Sequence, residues 1–387
     1  MELKRLVEDL LAGHDYHADR VGFRGAQFDA GLAWVHFPVG LGGLGLDRAA
    51  QAEVANALRA NGIPALDLAV NPIGLGMAAP TLREWAAEEF QRVLLRRIVT
   101  GEDIWCQLFS EPGAGSDIAG VATKAVREGD EWVVTGQKVW TTLAHRAAYG
   151  LLLARTDPTR PKHRGLSYFF VDMRSPGIEV RPLYQLTGDA EFNEVFLDQV
   201  RIPAGQLLGA EGDGWRVAIT TLMNERAAIG GADVSQPTEL LDAWRRRTRT
   251  DPSTDAAVRD RVLRLWVRAE AVRLSVQRAD AMAKAGVPGP EGAVAKLASA
   301  EMGQQVAEAV LDLEGPAGLL HPQGYPMSRA EGGHDLGAPA KKYLRTRAFT
   351  IEGGTSEVLR NMIGERILGL PGDIRVDKDV PWTEIPR

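Results

Sequence analysis

The sequence predicts an α+β protein built from three consecutive parts: an N-terminal helical domain (residues 1–103), a small antiparallel β-barrel or sandwich (104–212) and a C-terminal four-helix bundle (213–387). Three observations predict this order. Apolar residues recur with a helical period in the first part, with the shorter period of strands in the second, and with a helical period again in the third. The middle part also contains closely spaced turn signals, and the third part contains long apolar stripes.

In the N-terminal part, the clearest helices are predicted over 47–61 and 84–99, where apolar residues lie three and four positions apart. Residues 40–45 match the G-x-G-x-x-G pattern of dinucleotide-binding sites. However, Pro38 interrupts the strand that such a site needs, and no succession of strand–helix–strand units follows. We therefore expect an ordinary turn at 40–45.

Seven short strands are predicted in the middle part from its β-branched and aromatic residues and from the turns between them. They span 104–110, 122–128, 131–141, 149–155, 166–173, 177–183 and 193–201. Seven strands within about a hundred residues favour a closed or two-layered antiparallel sheet. The basic stretch 162–164 between two of these strands is expected to be a solvated turn.

In the C-terminal part, helices are predicted over 214–229, 255–285, 291–313 and 356–368. The second of them carries apolar residues along one stripe, and helices of this kind usually pack in a bundle. The last residues, 372–387, are polar with two prolines and are expected to lie on the surface.

The composition is that of an ordinary globular protein, with 387 residues of which 45% are apolar and 25% charged. A net charge of −6 argues against a general nucleic-acid-binding surface. Cys106 is the single cysteine, so an intrachain disulfide is excluded. The first residues form an amphipathic stretch rather than a signal core, and no run approaches the roughly 18 apolar residues of a membrane span. We therefore expect a cytoplasmic protein without membrane association.

The chemistry is expected between residues 106 and 142. The segment 106–117 has the pattern of a short strand that breaks into a Gly-rich turn (residues 110–117), where backbone N–H groups are exposed. The segment 131–142 has the pattern of a strand that presents the flat face of Trp140 beside two threonine hydroxyls. Such a pair can hold a flat heteroaromatic cofactor, although an ordinary hairpin with a tight loop accounts for the same residues.

Two strings in this region resemble the flavin-binding signature of the acyl-CoA dehydrogenase family: Ser-Glu-Pro-Gly-Ala-Gly-Ser-Asp at 110–117 and Gly-Gln-Lys-x-Trp-x-Thr at 136–142. The resemblance extends over nearly the whole chain. It implies an FAD that lies between the β domain and the C-terminal bundle. It also implies α,β-dehydrogenation of an acyl-CoA thioester, with electrons passed on to an electron-transfer flavoprotein.

The same resemblance implies roles for individual residues. The flavin ring would be lined by the Leu108 backbone, Ser110, Trp140 and Thr142, and it would be reached from the C-terminal side by Thr355 and Glu357. The substrate-binding residues would be Ser116, which would contact the pantetheine arm of the thioester, and Arg226. No metal site is implied.

The reaction needs a carboxylate in a dry pocket to remove the α proton. Many family members place this glutamate directly before Gly-Thr, and Gly353 occupies that position here, with a backbone N–H that can still donate to the thioester oxygen. A subset of the family carries the base on an earlier helix, directly before an arginine, and Glu225 occupies that position. We therefore predict Glu225 as the base and Glu352 as the second candidate. An ion pair is the non-catalytic explanation for Glu225.

Two features of the family are not found in the sequence. The Arg-x-x-Phe-Gly helix start that binds the flavin pyrophosphate from a neighbouring subunit has no counterpart around 247–262, and the glutamine expected before Gly-Gly does not occur at 312–316. A non-catalytic subunit of a hetero-oligomer therefore stays an alternative, as does a flavin monooxygenase or oxidase of the same fold. The resemblance otherwise implies a homodimer or homotetramer. The small residues at 227–232 would suit either a bulky acyl group or close helix packing.

Overall fold

Helices, a sheet and further helices follow one another along the chain in the predicted order. The computed structural model describes residues 2–229, 238–250, 256–284, 291–320, 338–372, 374, 376, 377 and 379–385. Across these ranges, no helix combines the length and the apolarity that crossing a membrane requires.

The N-terminal part folds into helices with apolar buried faces. These are α1 Glu2–Gly13, α2 Arg20–Asp29, α3 Gln51–Ala60, α4 Ala79–Trp85 and α5 Glu88–Thr100, with a π-helical turn Gly74–Ala78 directly before α4. The segment 84–99, predicted as one helix, is divided between α4 and α5 because Ala86 and Ala87 adopt extended backbone. The glycine-rich residues 40–45 contain no strand and contribute only one isolated bridge, from Val39 to Gly43, which fits an ordinary turn.

The seven predicted strands are present, and a short eighth strand follows them. They are β1 Trp105–Leu108, β2 Lys124–Glu128, β3 Glu131–Thr142, β4 Tyr149–Arg155, β5 Leu166–Asp172, β6 Ile178–Leu183, β7 Phe192–Pro203 and β8 Leu207–Leu208. The strand order is β6-β7-β3-β2-β4-β5-β8, and β1 pairs with β4. Most pairings are antiparallel, as predicted, whereas β1 runs parallel to β4 and β2 meets β4 in parallel at one residue pair.

The C-terminal part is helical, with α9 at its centre. The described helices are α6 Gly214–Ile229, α7 Thr238–Thr250, α8 Ala256–Lys284, α9 Glu291–Glu314, α10 Pro339–Thr346 and α11 Ser356–Arg366. The helices α7, α8, α10 and α11 all contact α9. In contrast, the main contacts of α6 are with β5, α4 and the π-helical turn. The helix α6 therefore connects the N-terminal helices with the sheet.

Two apolar cores lie on the two sides of β4 and β5. On one side, Leu152 and Phe169 pack against β3 and β7 inside the folded sheet. On the other side, Leu151 and Tyr168 pack against the N-terminal helices and against Val217 of α6. The predicted domain boundaries, 103/104 and 212/213, fall between elements, and this second core extends across both of them.

Candidate functional site

The two motif strings lie side by side in the structure. β1 leads into the Gly-rich turn, and β3 returns next to it, with the Val139 N–H donating to the Ser110 carbonyl oxygen at 2.9 Å. Gly113 and Gly115 have open space where a side chain would be, and Ser116 is exposed. Gly113, Gly115 and Ser116 therefore face outward, whereas Ala114 between them is buried in the apolar core.

A buried ion pair joins the two strings. Lys138 is fully buried, and its ammonium donates to the Glu111 carboxylate at 2.8 Å and to the carbonyl oxygens of Phe109 and Leu153 at 3.0 and 2.8 Å. The Glu111 carboxylate also accepts two backbone N–H groups from the residues after the turn, at 2.6 and 2.9 Å. This pair fixes the start of the Gly-rich turn against β3.

Both members of the pair carry their charge at neutral pH. Burial lowers the pKa of Lys138 to about 8, because the nearby Glu111 carboxylate offsets only part of the desolvation. Burial alone would raise the pKa of Glu111, but Lys138 and the backbone donors hold it below its usual range. Sequence reasoning missed this structural role, although two charged residues inside otherwise strand-like strings were a usable signal.

Trp140 projects from β3 at a β-bulge. The register of β3 against β7 shifts between Lys138 and Thr141, and Trp140 has a φ of 59°. A bulky residue in this left-handed region is strained, and such strain concentrates at ligand sites. The indole is 56% exposed and meets Phe192 edge-on, with 5.8 Å between ring centroids. The bulge thus presents a large flat apolar face beside the half-buried Thr142.

Glu225 lies on α6 and contacts β1. The side chain of Gln107 on β1 donates from Nε2 to Glu225 Oε2 at 3.4 Å. One turn earlier on α6, Thr221 shares a hydrogen bond of 2.8 Å with the hydroxyl of Tyr168 on β5. Burial, and to a lesser degree the negative charge of Glu225, raises the pKa of Tyr168. Glu225 is half-buried, and the side chain of Arg226 lies outside the described residues.

The second candidate base has a partner of its own. Glu352 Oε2 lies 3.0 Å from Arg345 Nη2 on α10. The next residue, Gly353, has a φ of 62°, and its N–H makes no hydrogen bond within the described part of the chain. Lys296 on α9 fixes this turn by donating to the Gly354 carbonyl oxygen at 2.6 Å. The turn is therefore well defined and leaves one backbone donor available.

Thr355 and Glu357 lie at the start of α11. Thr355 caps this helix, since its Oγ1 accepts the Val358 N–H at 3.1 Å. Glu357 is exposed, and both residues line a cleft of about 590 Å³ together with Arg347 and Arg360. Within the described ranges, no hydrogen bond or ion pair connects Thr355 or Glu357 to the hairpin.

The Gly-rich turn is held at its last residue, Asp117, by Lys162. This lysine belongs to the basic stretch 162–164, for which the sequence predicts a solvated turn. Lys162 is only 8% exposed, and its ammonium lies 2.8 Å from Asp117 of the turn and 2.5 Å from Asp377. The expectation for Lys162 is wrong because two carboxylates compensate its charge. Burial opposes that charge, but the carboxylates outweigh it and raise the pKa of Lys162.

Two family models match the chain. The model of the acyl-CoA dehydrogenase middle domain matches residues 106–200, and the model of the acyl-CoA dehydrogenase C-terminal domain matches residues 212–368. The first range includes the hairpin with Trp140, and the second includes Glu225 and Glu352.

Curated proteins are similar over most of the chain. Acyl-CoA dehydrogenase FadE34 of Mycobacterium tuberculosis is 42% identical over 348 residues, which are 89% of this chain and 46% of FadE34. The chain thus spans about half the length of FadE34. Acyl-CoA dehydrogenase IpdE1 of the same organism is 37% identical over 366 residues, which are 94% of this chain and 91% of IpdE1.

Solved structures share the fold. The Tcur3481-Tcur3483 steroid ACAD superposes with a TM-score of 0.73 at 25% identity, over 96% of this chain and 97% of that chain. The ChsE4-ChsE5 complex from Mycobacterium tuberculosis gives a TM-score of 0.69 at 26% identity, over 95% of this chain and 93% of that chain.

Proposed function

This chain belongs to the acyl-CoA dehydrogenase family, and from that premise we propose that it is an FAD-dependent enzyme that dehydrogenates an acyl-CoA thioester between its α and β carbons. The observation that carries the proposal is the position of Glu225. The Glu225 carboxylate on α6 lies 3.4 Å from Gln107 on β1, the strand that leads into the Gly-rich turn, and β3 with Trp140 lies beside that turn. The reaction needs this combination of a base and an aromatic cofactor site.

The hairpin has the features that a flavin ring requires. Trp140 presents an exposed flat face at a strained bulge, with the hydroxyls of Thr142 and Ser110 nearby on the two strings. Leu108 is fully buried in the core of the sheet, so this structure offers no exposed surface of Leu108 to a ligand. When bound there, FAD supplies the acceptor for the hydride that leaves the β carbon.

The residues of the chain do the proton chemistry. Glu225 takes the α proton at its carboxylate, and Gln107 orients that carboxylate by its hydrogen bond. The available N–H of Gly353 would donate to the thioester oxygen, which becomes more negative as the proton leaves. Ser116 on the exposed turn, and Arg226, which follows Glu225 in the sequence, would contact the substrate.

Glu352 is the weaker candidate because it already has a role. Its carboxylate forms an ion pair with Arg345 at 3.0 Å, and it lies one residue away from the position at which many family members carry the base. Glu225, in contrast, occupies the position at which a subset of the family carries the base, and it contacts the Gln107 amide of β1.

We propose an electron-transfer flavoprotein as the electron acceptor, on family membership alone. The similarity to a structure named as a steroid ACAD favours a bulky acyl group. The small residues at 230–232, which would suit such a group, lie outside the described residues. A hetero-oligomer is favoured over a homo-oligomer by the similarity to the ChsE4-ChsE5 complex.

A second candidate function follows from Gly353. A glycine stands where many family members carry the base, so a non-catalytic subunit that supports an active partner would show the same residue. A same-fold monooxygenase or oxidase is a third candidate, because it would need no proton-abstracting glutamate. These functions predict different behaviour in one experiment.

The experiment is an anaerobic visible spectrum of the purified protein before and after addition of a panel of acyl-CoA thioesters. We expect the native flavin to bleach, and Glu225→Gln to bind flavin but to bleach more slowly by about 10²- to 10⁴-fold. Glu211→Gln, an exposed glutamate just before α6, is the matched control and should behave as the native protein does. Unchanged bleaching by Glu225→Gln would assign the base elsewhere, with Glu352→Gln as the next variant.

Two other outcomes identify the alternatives. A native protein that carries no flavin, or whose flavin does not respond to any thioester, would favour the non-catalytic subunit. A reduced flavin that is reoxidised within seconds when air is admitted would favour the oxidase or monooxygenase.

A further inference from the structure

The described residues of the C-terminal tail, 376, 377 and 379–385, are bound to the β domain. Its backbone pairs with the loop between β4 and β5: Pro381 forms a bridge with Pro161, and the Trp382 N–H donates to the Arg160 carbonyl oxygen at 3.0 Å. The tail therefore lies on the surface, as expected, but in a fixed position on the loop that contains Lys162.

Two side chains of the tail contact the two basic residues that hold the Gly-rich turn. The Trp382 ring centroid lies 4.3 Å from the Arg155 guanidinium carbon, and Asp377 lies 2.5 Å from the Lys162 ammonium. On its other side, Lys162 binds Asp117 of the turn at 2.8 Å. The tail is therefore linked to the turn through Arg155 and Lys162.

Of the two linking residues, Arg155 holds the end of the turn more firmly. It is 3% exposed and donates to the carbonyl oxygens of Ala119 and Val121, just after the turn, at 2.7 and 3.0 Å. Trp382 covers the guanidinium and also donates from Nε1 to the Gly120 carbonyl oxygen at 3.4 Å. A desolvated cation–aromatic contact is worth more than an exposed one. We therefore expect Trp382 to contribute more than Asp377, whose route to the turn ends at the largely exposed Asp117.

We propose that the tail is a positioning element for the substrate: Trp382 and Asp377 hold the end of the Gly-rich turn in the conformation in which Ser116 meets the carrier arm of the thioester. This inference rests on the proposed function, because it assigns the turn to the thioester. The start of the turn is fixed separately by the Glu111–Lys138 pair, so loss of the tail would loosen the turn without unfolding the hairpin.

Loss of the tail contacts is therefore expected to weaken binding of the thioester without changing the rate of the chemical step. Gly113 and Gly115 give the turn little packing, so a turn that is released at its end must be ordered again when the thioester binds. Glu225 and Trp140 lie on other elements and keep their positions. A raised KM with an unchanged kcat is the signature of this kind of loss.

The experiment compares three substitutions in the full-length protein: Trp382→Ala, Asp377→Asn and the matched control Asp379→Asn, an exposed tail residue. The first readout is amide hydrogen exchange in residues 112–121, which does not depend on activity. The second is kcat and KM for the most active thioester of the panel. Trp382→Phe, which keeps an aromatic face over Arg155, tests rescue.

We expect faster exchange in 112–121 and a KM raised by on the order of 5- to 10-fold for Trp382→Ala, smaller changes for Asp377→Asn, and none for the control. Trp382→Phe should recover most of the loss. Unchanged exchange in the two test variants would overturn the positioning role of the tail, and so would faster exchange without a change in KM. If no thioester reduces the native protein, the proposed function fails instead, and exchange alone then decides whether the tail holds the turn.

Discussion

Replacing Lys138 by methionine should destabilise the protein by about 4 kcal/mol, because it removes one partner of a fully buried ion pair. Methionine fills much of the same space, so the loss is mainly electrostatic. Three oxygen atoms lose a charged donor: one of Glu111, and the carbonyl oxygens of Phe109 and Leu153. Glu111 keeps its two backbone donors, which places the expected loss inside the range of about 3–5 kcal/mol for breaking a buried pair rather than above it.

The assay is urea unfolding of the native and variant proteins. With a slope of about 3 kcal/mol per molar urea, the midpoint should fall by about 1 M. Lys124→Met is the matched control, since it makes the same substitution at an exposed position on the neighbouring strand β2. The double variant Lys138→Met/Glu111→Gln should lose at least about 1 kcal/mol less stability than the sum of the losses in the two single variants. The reason is that Lys138→Met already leaves the Glu111 carboxylate without its charged partner. A midpoint for Lys138→Met equal to that of the control would refute the electrostatic reasoning.

Three further outcomes are expected. In the N-terminal part, the buried carboxylate of Asp67 accepts hydrogen bonds from Arg24 and from the Tyr16 hydroxyl, each at 2.7 Å. Burial alone would raise the pKa of Asp67 and of Glu111, but their hydrogen-bonding partners hold both pKa values below the usual range. The stability that the two carboxylates contribute is therefore present above about pH 4 and is lost as the pH falls through the lower folded-state pKa values. Urea midpoints measured from pH 7 to pH 3 should show this fall, and Asp67→Asn should reduce it. Trp140→Ala should lower the flavin content of the purified protein without moving the urea midpoint, since the ring is 56% exposed; an unchanged flavin-to-protein ratio would contradict the assignment. Glu352→Gln should change stability by less than about 1 kcal/mol and thioester reduction by less than about threefold, because its ion pair is partly exposed; abolished reduction would transfer the role of base from Glu225 to Glu352.

The elements predicted best from the sequence have a strong local pattern. The predicted strand 149–155 and the predicted helix 214–229 coincide with β4 and α6, since each has an apolar pattern of the right period bounded by turn residues. The helix α7 was missed because most of its residues are charged or polar, and only Leu240 and Ala243 are fully buried among its residues 238–249. Its position depends on packing against α9, and a local pattern does not contain that information.

For the site, the sequence identified the motif strings but not the contacts between them. Lys138 and Glu111 are 27 residues apart, Gln107 and Glu225 are 118 apart, and Lys162 and Asp377 are 215 apart. No local sequence pattern predicts these contacts, because they form only when the sheet, α6 and the tail pack together. The strained backbone of Trp140 was missed for the same reason, since it arises from the register of β3 against β7.

Positions 225 and 353, at which different members of the family carry the base, differ in their local structure. α6 shares an apolar core with the sheet through the buried Val217, and the Thr221 hydroxyl fixes it to Tyr168, so the Glu225 carboxylate one turn later follows a well-packed part of the helix. Position 353 has room for a side chain, since an added Cβ would meet only Lys296 at 3.8 Å. Its φ of 62°, however, is a conformation in which any residue other than glycine is strained, by about 1–2 kcal/mol. A glycine there relieves the turn of that strain and leaves a backbone donor in place, while the rigid helix α6 carries the carboxylate.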